Sequence, residues 1–152
     1  MGTTVNEIYD VAMSQITDYR LDALFQTSEP DFEAYMEFFL DFAIFDFDIC
    51  DQSLVYSSGS SKEFPEVLTT RNKHILATLM MKHWMQKNAN DITQMNLHVG
   101  DKDFKVPSEA PNLREKTNSL NVIKEQCAQM LVDYAYKNVD WTEWYNQSFS
   151  GI

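Results

Sequence analysis

Three carboxylates in the first half of the chain, Glu33, Glu37 and Asp41, recur every four positions. On a helix that interval sets them in one stripe, and carboxylate oxygens are ligands for hard divalent cations. A carboxylate metal bundle, however, also needs histidines at fixed offsets from its glutamates. The three histidines are His74, His83 and His98; none lies in an HExxH pattern and none follows a glutamate at ExxH spacing. The stripe therefore reads as a solvated helix face, and no metal or other cofactor is expected. Cys50 and Cys127 lie far apart and outside any CxxC pattern. In apolar surroundings they read as buried, reduced thiols. No GxGxxG or phosphate-loop motif occurs, and four glycines are too few for a backbone phosphate cradle. An enzyme is not expected.

The elements that would position these side chains are helical. The chain has 152 residues, 44% of them hydrophobic, with four glycines and four prolines. That length buries a core without metal or disulfide staples. The scarcity of turn residues favours helices over many-stranded sheets. A net charge of −11 disfavours wrapping of nucleic acid, which needs clustered Lys and Arg. It suits solubility, or a surface that another polyanion passes without sticking. There is no basic n-region or apolar h-region at the start, so cytoplasmic folding is expected. "MGTTVN" opens like a myristoylation site but has Asn6 where Ser or Thr is wanted.

Thr3 or Thr4 caps a first helix whose Val5, Ile8, Tyr9, Ala12, Met13 and Ile16 share one face. A short second helix ends before Pro30, and Ser28 with Pro30 opens a third. The span from Asp31 to Cys50 is the most apolar, yet its acidic residues leave no uncharged run near the roughly 20 residues a membrane crossing requires. This helix is expected to be buried on most sides, with the carboxylate stripe facing water. Ser53 to Val67 reads as a flexible loop. Thr69 or Thr70 opens a helix through Gln86, with "KNANDIT" ending it. The Met-rich "LATLMMKHWM" within it is expected to pack in the core rather than form an adaptable groove.

Residues 94–107 then read as a β-hairpin insertion. Met95, Leu97 and Val99 alternate with polar residues, "GDKD" turns, and Phe104 and Val106 alternate again before Pro107. An isolated hairpin is marginal in water and needs a support, either its own domain or a neighbouring copy. Ser108 caps the last long helix, where Leu113, Leu120, Cys127 and Tyr134 recur every seven residues with Ile123 and Met130 between. That seam suits an antiparallel neighbour. Residues 139–152 follow as an arm carrying Trp141, Trp144, Tyr145 and Phe149. Those aromatics must be covered, by this chain or by another. The expectation is a mainly α fold: one helical bundle over residues 1–138 with a protruding hairpin, a long helix in its C-terminal half and a C-terminal aromatic arm.

The order of features resembles a known group. "ILATLMMKHWMQKNANDITQMNLHVGDKDFKVPSEAPNLREKTNSL" followed by "EQCAQMLVDYAYKN" is similar to the head–tail connector (adaptor) proteins of tailed bacteriophages. The likeness covers roughly residues 71–138 and carries no catalytic motif. It implies a structural virion protein at the neck: a homo-oligomeric ring, commonly a dodecamer, beneath the portal protein. Such a ring extends the DNA channel, lets DNA through without specific binding, and offers a platform to the tail or to a stopper or terminator protein. It further implies that the hairpin (Met95, Leu97, Val99, Phe104, Val106) leans on an adjacent subunit and that the arm (Trp141, Trp144, Tyr145, Phe149) docks on the portal. A tail terminator or head-completion stopper is the alternative within that setting, and a cytoplasmic protein-binding adaptor or regulator the alternative outside it.

Overall fold

In a computed structural model the described residues are 2–59, 61–99, 109–137, 139–143 and 145, with side chains described except at 92–99 and 109–113. The helices are α1 (Val5–Gln15), α2 (Tyr19–Thr27), α3 (Glu29–Asp46), α4 (Thr70–Val99) and α5 (Glu109–Lys137). There is no strand among the described residues, and the fold is mainly α. No helix among them is long and apolar enough to cross a membrane.

Local chemistry starts each helix where the side chains can satisfy the unpaired amides of a first turn. Thr4 caps α1 in a reciprocal box: the Glu7 N–H donates to Thr4 Oγ1 and the Thr4 N–H donates to Glu7 Oε1, at 3.4 and 3.1 Å. Asp18 accepts from the Arg20 N–H and caps α2. Pro30 sits in the first turn of α3, where its missing N–H costs nothing. Thr69 Oγ1 accepts from the Asn72 N–H and starts α4.

Helix α4 is the axis of the bundle. It packs against α1, α3 and α5, while α2 lies on α3. With neighbours on three sides, α4 has six consecutive buried residues, Ile75 to Met80, so its Met-rich stretch is core, as the sequence implies. The heptad seam of α5 is the face that meets α4: Leu120, Ile123, Cys127 and Tyr134 are buried and Met130 packs at the edge.

The segment from Asp51 to Thr69 departs from expectation. It has irregular backbone, but it is a strap anchored at both ends of its path. The Thr3 N–H donates to the Glu66 carbonyl, the Phe64 N–H to the Thr3 carbonyl and the Val5 N–H to the Lys62 carbonyl, all within 3.2 Å. Thr4 and Glu63 form a single antiparallel bridge. Leu54, Phe64 and Leu68 are buried beneath the strap. The backbone approach is so close at Gly2 that a Cβ there would lie 1.7 Å from the Phe64 carbonyl oxygen. Three apolar anchors spread over a polar segment carry no periodicity, which is why the sequence reads as a free loop.

The hairpin expectation is corrected in its first half. Met95, Leu97 and Val99 lie in α4, which runs unbroken through Val99. No glycine or proline occurs between Thr70 and Val99, and an established helix gains one hydrogen bond per added residue. Three alternating residues are too short a run to overrule that, and Ile92, Met95 and Val99 also fall at helical intervals. Phe104 and Val106, with the turn between, lie outside the described residues, as does Ser108.

Candidate functional site

The groups with catalytic potential hold the fold together. Tyr56 reaches from the strap to the carboxylate stripe of α3, its hydroxyl proton shared between Glu37 Oε1 at 3.1 Å and Asp41 Oδ1 at 2.7 Å. Lys62 Nζ meets Glu37 Oε2 at 2.6 Å, and Asn6 Nδ2 donates to Glu33 Oε1 at 3.1 Å. The Lys62 hydrogen bond holds the Glu37 carboxyl below its ordinary pKa. Burial, with the fields of Asp41 and Glu37, pushes the Tyr56 phenol far up. The stripe is thus where the strap latches, rather than a purely solvated face. The sequence hides this because the partners are 15 to 27 residues away.

Among the histidines, His74 is exposed. His83 Nε2 lies 2.7 Å from Asp46 Oδ2, and Lys82 Nζ bonds the same oxygen. Burial opposes ionisation of Asp46, but the Lys82 and His83 hydrogen bonds more than offset it and keep the carboxyl below its usual range. Burial also lowers the His83 pKa despite the carboxylate. Against an ionised Asp46 the His83 Nε2–H is the donor, and Lys82 supplies the balancing charge. The side chain of His98 lies outside the described residues. No three His, Cys, Asp or Glu groups converge on a metal-sized site among the described residues. Both thiols are free; Cys127 is buried in α5 and Cys50 is half-buried just after α3, and burial raises both pKa values. Neither is a thiolate poised for attack.

The fold also leaves large apolar side chains open to solvent. Phe38, Phe42, Phe45 and Ile49, spaced by four, three and four, form an exposed ridge on the outer face of α3 and its terminal turn, with Phe45 80% exposed. Phe38 and Phe42 pack edge to face at 4.9 Å, and Phe42 lies 5.3 Å from the His83 ring. The expectation that α3 is buried on most sides is corrected here. Phe32, Met36, Phe39, Leu40 and Ala43 already fill its inner face. The signal was present: a single helix with two apolar faces has one more than a small bundle can bury. Exposed carboxylates at Asp31, Asp41 and Asp48 punctuate this stretch.

A second exposed apolar surface lies beyond α5. The helix is fixed near its end by Tyr134, whose ring packs edge to face on Phe47 at 4.9 Å. The Arg71 guanidinium sits over the same ring at 5.3 Å. After Lys137 the chain makes a further helical turn at 141–143, capped by Asp140, which accepts from the Thr142 and Glu143 N–H groups. Trp141 stacks on Tyr136 at 5.8 Å and 11°. Trp141 and Tyr145 are both more than half exposed. Trp144 and Phe149 lie outside the described residues. Of the expected interface residues in the 94–107 segment, Met95, Leu97 and Val99 are placed on the last turns of α4, and Phe104 and Val106 lie outside the described residues. The ridge on α3 was not anticipated at all.

The chain matches no protein-family model, no curated protein and no solved structure.

Proposed function

We propose that this chain is a structural virion protein, a head–tail connector that assembles as a ring beneath the portal, extends the DNA channel and supports attachment of the tail. The observation that carries the reading is the distribution of exposed apolar surface. One patch is the α3 ridge and another the arm at Trp141 and Tyr145. Large exposed apolar patches on a folded chain mark contacts with other proteins, and aromatic anchors dominate such contacts. A ring subunit needs unlike surfaces for its lateral neighbours, because only a heterologous contact propagates around a circle. A connector also needs an axial surface for the portal, which the arm supplies. The resemblance over residues 71–138 and the net charge of −11, suited to a lumen that DNA traverses without binding, point the same way.

Sedimentation velocity and negative-stain imaging of the purified chain, alone and with a purified portal ring, test this. Closed rings, or stoichiometric addition to the portal, support it. A chain that stays monomeric at every concentration, and does so beside the portal, removes this reading and leaves a monomeric protein-binding adaptor.

A further inference from the structure

We draw no further inference here: the strongest candidate, the exposed apolar ridge of Phe38, Phe42, Phe45 and Ile49 on the outer face of α3, is an unpartnered helix face, and nothing in the structure shows what covers it.

Discussion

The Tyr134 hydroxyl of α5 donates a hydrogen bond to the Asp51 carboxylate, and the Asp51 N–H donates back to the Tyr134 hydroxyl oxygen at 3.1 Å, across 83 residues of sequence. This exchange pins the end of the last long helix to the start of the strap. Asn72 on α4 joins them, its Nδ2 donating to Asp51 Oδ1 at 3.3 Å and Gln52 Oε1 at 2.8 Å. Three elements distant in sequence meet at one corner. Burial, followed by the Asp51 bond, pushes the Tyr134 phenol up to about 12.

Tyr134→Phe keeps the ring against Phe47 and removes the hydroxyl. The expected loss is about 1 kcal/mol, the ordinary net worth of one hydrogen bond, and solvent at exposed Asp51 holds it to that scale. Tyr134→Ala also leaves a cavity beside Phe47 and should cost about 3–5 kcal/mol. Urea unfolding of the two variants checks the ranking; equal losses would mean that the hydroxyl, not the ring, dominates.

Stability should fall in mild acid through His83. Its folded pKa lies below 6.5, so between that value and 6.5 the unfolded chain binds a proton that the folded chain does not. Stability therefore rises with pH across this window. Asp46 acts at lower pH: its folded pKa is depressed below 3.8, so its contribution is present above 3.8 and is lost as pH falls through the folded value. His83→Gln should flatten the change in urea midpoint between pH 7.5 and 5.5, and an unaltered slope would rule His83 out as its source.

The strap should behave as core at its anchors and as surface between them. Phe64→Ala, at a site 1% exposed, should cost about 3–5 kcal/mol. Val55→Ala, at an exposed site, should stay within about 0.5 kcal/mol. Gly2→Ala should destabilise as well, since its Cβ meets the Phe64 carbonyl. Amide exchange at Phe64 and Val5 reports the anchoring directly: exchange as fast as at a free peptide would show that the strap is not held.

Truncation after residue 138 should leave the melting temperature of the isolated chain nearly unchanged, because Trp141 and Tyr145 are largely exposed. The same truncation should abolish attachment to portal-bearing heads. A large drop in thermal stability would place the arm's aromatics in the intramolecular core.

What the sequence determined by itself is what short-range chemistry dictates. Thr4 with Glu7 writes the start of α1, Pro30 the start of α3, and the seven-residue recurrence of Leu120, Cys127 and Tyr134 the buried face of α5; each signal is complete within a few turns. The tertiary structure alone decided the partners of Glu37 and Asp41, because Tyr56 and Lys62 come from a strap with no period to read. It decided that α4 continues through Val99, since helix propagation outweighs three alternating residues. It also decided which face of α3 stays open. Phe38, Phe42 and Phe45 are as apolar as Phe39 and Phe47, and only the position of α4 and α2 settles which of them the bundle can bury.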